Sequence, residues 1–168
     1  MMFCKLLSAL PFVASALSKP LEPRALSDFS MYAYGSDGIN GFPVISINNT
    51  VYITSHSVDD IGSQAHNVTF DAPETRGNFT ASVDGQGQSL FYVPSSSGPV
   101  GFTNTTNDDS FITSGFGFYG HVIFVQIGSV IQTEWIAVPT NDSAVWLLSW
   151  NVEDQGVPVA LRNIAPTA

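Results

Sequence analysis

Three features of this sequence predict an all-β fold: a single-domain antiparallel β-sandwich, with a β-barrel as the alternative. Short runs rich in Val, Ile, Phe, Tyr and Trp recur along the chain, the residue types that suit a pleated, packed surface. Clusters of Gly, Pro, Asn and Asp separate those runs at turn spacing. No stretch holds apolar residues at i, i+3, i+4 and i+7 over three turns, so no amphipathic helix is expected. Strand order is not written in periodicity, and sandwich and barrel therefore stay open.

The N-terminal region is read separately. Lys5 gives a short positive start, Leu6 to Val13 an apolar stretch, and Ala14-Ser15-Ala16 a small-residue cleavage pattern. Residues 1–16 therefore read as a secretory signal peptide, too short for a membrane span. Residues 17–26 read as a Pro-rich leader or short pro-segment, with Arg24 a candidate processing point. The folded domain is expected over 27–168. The lone cysteine, Cys4, falls in the signal peptide, so no disulfide, thiol nucleophile or thiolate metal site is expected in the mature chain.

From Asp28 onward the strands follow in order. Phe29–Gly35 is the first, with Tyr32 and Tyr34 on one face. Pro43–Ile47 and Thr50–Thr54 form a hairpin across Asn48-Asn49, because Asn tolerates the positive φ of a type I′ turn. His56 to Ala65 reads as a polar loop. Asn67–Ala72, Asn78–Asp84, Leu90–Val93 and Val100–Thr103 alternate as strands, and Asn104 to Ser110 is an acidic turn region. Val157–Leu161 closes the series.

The core is expected around Ser114 to Asn151. Gly128-Ser129 between β-branched runs signals a two-residue hairpin with a type II′ turn. That register sets Ile127 against Val130 and Val125 against Gln132. Continued further, it sets Ile123 against Glu134 and Val122 against Trp135. Neither face of this hairpin is wholly polar, so it should be sandwiched.

Tyr32-Ala-Tyr-Gly35, Phe118-Tyr-Gly120, Trp150-Asn151, Val157-Pro-Val-x-Leu-Arg162 and Ala165-Pro166 together resemble a group of small secreted ascomycete proteins of unassigned function. The resemblance spans most of the mature chain. It implies a secreted fungal protein with no catalytic motif, and no functional residue is carried over from it.

Composition narrows the functional classes. The precursor has formal charge −9. Without residues 1–24, Arg76 and Arg162 remain against thirteen acids, a charge of −11. Such a surface repels phosphate backbones and anionic lipids, which argues against nucleic acid as a partner. Five of the ten asparagines open Asn-x-Ser/Thr sequons, at Asn48, Asn67, Asn78, Asn104 and Asn141, the expected glycosylation sites.

Candidate chemistry is sparse. Gly115-x-Gly-x-x-Gly120 matches a dinucleotide string, but a β-branched run follows where a helix is needed, so packing glycines are expected and no cofactor. His121 and Glu134 would be diagonal neighbours in the extended register, a candidate general acid–base pair or a satisfied polar pair at a strand end. Trp146 and Trp150 share a strand face and would stack on sugars if exposed, but belong to the core if buried. The histidines lack zinc-ligand spacing, and the acidic turns lack that of a calcium loop, so no metal is expected. These readings converge on a secreted, N-glycosylated extracellular or cell-wall protein acting as a non-enzymatic binding or host-interface module. Its partner would be carbohydrate or a cell-surface component. The alternatives are a carbohydrate-active enzyme using Glu134 and a purely structural surface protein.

Overall fold

The structure, a computed structural model, describes residues 25–84, 86–106 and 108–167. The expected signal peptide, Cys4 and the leader through Arg24 lie outside them. In chain order the described residues form β1 Leu26–Phe29, β2 Tyr32–Gly35, β3 Asn40–Ile47, β4 Thr50–Thr54, the short helix α1 Val58–Ile61, β5 Ala65–Ala72, β6 Thr80–Val83 and β7 Gln88–Pro94 in the first half. Then follow β8 Gly98–Pro99, β9 Gly101–Thr103, β10 Phe111–Ile112, β11 Phe116–Tyr119, β12 Val122–Ile127, β13 Val130–Gln132, β14 Trp135–Pro139, β15 Val145–Trp150 and β16 Val157–Arg162. The short β8 and β10 only patch the edges of β15 and β7.

The all-β expectation holds, and the barrel alternative is the form it takes. Antiparallel pairings run β5–β6–β7–β9–β4–β15–β14–β16–β2–β3 and return to β5, closing the sheet on itself. Closure removes the unpaired edges that an open sandwich would leave. The β3–β4 hairpin is the shared ribbon. On one flank β3 pairs β2 and then β5; on the other, β4 pairs β9 and then β15. The sheet therefore closes on β3–β4, while Ser114 to Asn151 supplies Phe116, Ile123, Val125, Trp135, Leu148 and Trp150 to the core. Its tip is the expected type I′ turn, with φ of 51° at Asn48 and 62° at Asn49.

The expected first strand, Phe29–Gly35, is two strands. Asp28, at φ 52°, puts an irregularity into β1, and its N–H donates to Asp71 Oδ1 at 3.0 Å. The chain then leaves β5 and resumes as β2 beside β3. Within the polar loop, Ser57 caps α1: its hydroxyl bonds the Asp60 carboxylate at 2.7 Å and the Asp60 N–H at 3.4 Å. A capping Ser with an acid three residues on carried that signal.

The β12–β13 hairpin forms in the expected register, Ile127 opposite Val130 and Val125 opposite Gln132, with Gly128 at φ 61°. It stops at Gln132, and the expected pairs of Ile123 with Glu134 and Val122 with Trp135 do not form. Trp135 instead starts β14, pairs with Trp150 and is fully buried. Its indole N–H donates to the Ile123 carbonyl at 3.2 Å. Burying an indole of roughly 150–250 Å² is worth about 4–6 kcal/mol at 25 cal/mol per Å². Each ladder bond forgone is worth only about 0.5–1.5 kcal/mol. The tryptophan wins. The hairpin is sandwiched at Ile123–Val125, all buried, whereas its tip leaves Val130 and Ile131 exposed.

The core is one aromatic network. Phe91 contacts Phe70, Phe102, Phe116 and Trp135, and Trp135 meets Trp150 edge-on at 4.7 Å between ring centres. Phe29 and Phe79 extend it to Phe118.

Candidate binding cleft

β16 sets the site. It pairs with β2 along one edge; along the other it pairs with β14 at its start and with β12 at its end. Strand alternation sends Val159 and Leu161 into the core and Ala160 and Arg162 outward. On β2, Ala33 is buried and Tyr32 and Tyr34 face out, sharing a face as expected. Arg162 lies opposite Tyr32 on one side and Val122 on the other, so Tyr34 is its diagonal neighbour. The guanidinium carbon sits 5.2 Å from the Tyr34 ring centre, a cation–π contact.

Four local devices fix the rim. The Tyr34 hydroxyl donates to the Ile164 carbonyl at 2.9 Å, which ties residues beyond β16 across β2. His121 Nδ1 lies 3.0 Å from Asn163 Oδ1, and the Asn163 N–H donates to the His121 carbonyl at 3.2 Å. Gly41, at φ 77°, accepts Pro166 against its backbone; a Cβ there would lie 2.8 Å from the proline ring. Gly120, at φ 60°, turns the chain between β11 and β12 and leaves Tyr119 standing 83% exposed. Tyr34, Tyr119, His121, Arg162, Ile164 and Pro166 line a cleft of about 490 Å³, within the size range of ligand sites. None of the described residues lining it carries a side-chain carboxylate.

The sequence-derived candidates separate. His121 lines the cleft. Glu134 lies between β13 and β14, exposed, with its carbonyl accepting the Asn151 N–H at 2.9 Å. The register that would have made the two diagonal neighbours ends before Glu134. Trp150 is core, 2% exposed, and Trp146 is half-buried, stacked on Phe42 at 5.7 Å. No flat Trp146–Trp150 platform faces solvent.

The glycine string serves packing. Residues 116–119 are strand, so no helix N-terminus follows the first glycine. A Cβ on Gly115 would lie 2.4 Å from the Gln126 carbonyl oxygen, and one on Gly117 would meet the Phe124 ring at 2.8 Å. Among the acidic turns, Asp59 and Asp60 occupy the first turn of α1, and Asp108 Oδ1 accepts the Ser110 N–H at 2.9 Å. No group of three or more His, Cys, Asp or Glu able to hold a metal occurs among the described residues.

Of the sequon asparagines, Asn48, Asn67, Asn104 and Asn141 are exposed and Asn78 is half-buried. None lines the cleft. Elsewhere, partial burial pushes the Tyr92 phenol above its ordinary value of 10.0. Its ring packs on Phe111 at 4.1 Å between centres.

Sequence reasoning missed Tyr34, Tyr119, Arg162 and Ile164 as a site. They come from three distant strands and the segment after the last one. The available signal was that Arg162, one of two cations after Arg24, falls on the outward parity of its strand. Short motifs already noted for another reason, around Tyr34, Tyr119, Arg162 and Pro166, all end at this cleft.

No protein-family model, curated protein or solved structure matches the chain. Among the described residues, no helix is long and apolar enough to cross a membrane.

Proposed function

We propose that this is a secreted, N-glycosylated extracellular protein that binds carbohydrate non-enzymatically through the cleft between β2, β12 and β16. The observation that carries the reading is a pre-ordered aromatic and cationic surface left bare beside a fully built core. Tyr119 stands almost free in solvent, and Arg162 rests on Tyr34 rather than on a carboxylate. Exposed aromatic rings offer flat apolar faces to pyranose rings, while arginine and tyrosine donors meet hydroxyls. Sequon asparagines lie outside the cleft, so glycans attached there leave it open.

A glycosidase requires two carboxylates flanking the scissile bond, and the described residues lining the cleft supply no carboxylate side chain. Binding without turnover is the reading that fits those residues.

Titration calorimetry of the mature protein against neutral cell-wall oligosaccharides tests it. Saturable binding lost in Tyr119→Ala, with the unfolding midpoint unchanged, is the expected result. Absence of binding in the native protein would leave a purely structural surface role. Release of reducing ends, abolished in Glu134→Gln, would replace the binder with an enzyme.

A further inference from the structure

We infer that the sugar held in this cleft carries a carboxylate: an oligosaccharide with a terminal or isolated uronic acid, its carboxylate seated on Arg162. This rests on the carbohydrate reading above and goes beyond it by naming the ligand's charge.

Among the described residues, Arg162 is the only Lys or Arg lining the cleft. Among the described residues it makes a ring contact and no ion pair or hydrogen bond through its guanidinium. An arginine in a chain with thirteen acids beyond residue 24 has many possible partners, yet the fold places it where, among the described residues, no side-chain carboxylate lines the wall. Five N–H donors in a planar fork are thereby left for an external acceptor, and a carboxylate matches that fork with two parallel bonds.

Tyr34 makes the arginine a prepared group. Its hydroxyl is anchored to the Ile164 carbonyl, so the ring under the guanidinium is held before any ligand arrives. Little side-chain freedom then remains to be lost on binding. Tyr119 on the same rim supplies the stacking face a pyranose needs. Carboxylate recognition and ring stacking in one cleft describe a uronic acid better than a simple anion.

The charge of the whole protein sets how many carboxylates the ligand can bear. With −11 beyond residue 24, a long polyuronate is repelled wherever it leaves the cleft. At physiological salt that repulsion reaches about 8 Å, one or two sugar residues. A single uronate among neutral sugars escapes it.

The test uses matched oligosaccharides that differ only in a terminal glucuronic acid or glucose, titrated calorimetrically into the mature glycoprotein. The glucuronate form should bind about ten-fold tighter or better, the scale of one charge-assisted contact. Arg162→Gln should erase that preference while leaving affinity for the glucose form within about two-fold, and Tyr119→Ala should weaken both forms alike. Equal affinity of the native protein for both forms would overturn the uronate assignment and leave the carbohydrate reading standing. Binding of neither form would overturn both. A short peptide with a free C-terminal carboxylate is the third ligand. If it binds as tightly as the glucuronate form and depends equally on Arg162, the site reads carboxylates without the sugar, and the assignment also falls.

Discussion

Tyr92 and Tyr119 are both outward-facing tyrosines, one on the barrel strand β7 and the other on β11, which pairs with β12 beside the barrel, and the fold treats them oppositely. Tyr92, on β7, is covered: Phe111 stacks on it and its ring lies over Gly101, where a Cβ would come within 2.8 Å of the hydroxyl. Tyr119, at the end of β11, is covered by nothing and is 83% exposed. The same contrast divides the molecule. The half built from β5, β6, β7 and β9 holds most of the phenylalanine network and, with the hairpin tip, four of the five sequons. The half built from β2, β14, β15 and β16 is packed by Trp135 and Trp150 and carries the cleft. One side is finished by its own residues; the other leaves donors and a ring free for something else.

The largest expected effect would test whether the two halves share one core. Phe91→Ala removes the ring that joins Phe70 and Phe102 to Trp135, and should cost about 3–5 kcal/mol in urea unfolding. A single transition is expected by tryptophan fluorescence and by amide exchange in β5–β7 alike. Two separated transitions would show the halves to be independent.

Trp135→Phe sharpens the boundary on the cleft side. It keeps an aromatic ring but removes the donor to the Ile123 carbonyl, for about 1–3 kcal/mol. Amide exchange should quicken in β12, which borders the cleft, more than in β6. Equal change in both strands would mean the bond has no local role.

Tyr92 tests the covered side by pH. Its phenol is raised by desolvation, so the folded state keeps the proton above the pH at which the unfolded chain has lost it. The resulting stabilisation is complete below the ordinary tyrosine value and is lost as pH rises through the folded one. The unfolding midpoint should therefore fall from about pH 9 upward, and Tyr92→Phe should flatten that fall. An unchanged slope in the variant would show that Tyr92 is not the group responsible.

The smallest effects belong to the open side. Arg162→Ala should cost no more than about 0.5–1 kcal/mol, the scale of an exposed cation–π contact. Glu134→Gln should stay within about 0.5 kcal/mol, because that side chain is exposed. A loss of several kcal/mol at Arg162 would mark it as a structural residue and end the comparison.

Much of the barrel was legible because strands and turns are local. Asn48-Asn49 and Gly128-Ser129 declared their turns through positive φ, and the pairing on either side followed from the turn. Tyr32 and Tyr34 share a face because alternation has period two. What lay beyond reach was where a ladder stops. Nothing near Glu134 says that Trp135 will leave its hairpin for the core, since that gain depends on Ile123, Phe91 and Trp150 being there to receive it.

By itself the sequence determined the all-β class, most of the strand segments, the tight turns, the acidic surface, the sequons and the absence of cysteine beyond Cys4, all properties of composition or of residues adjacent in the chain. Only the tertiary structure decided that the sheet closes on the β3–β4 ribbon, that His121 and Glu134 part company, and that Arg162 meets Tyr34. Those outcomes depend on which strands pair across long separations. That choice is set by how the large side chains pack together, and no local pattern records it.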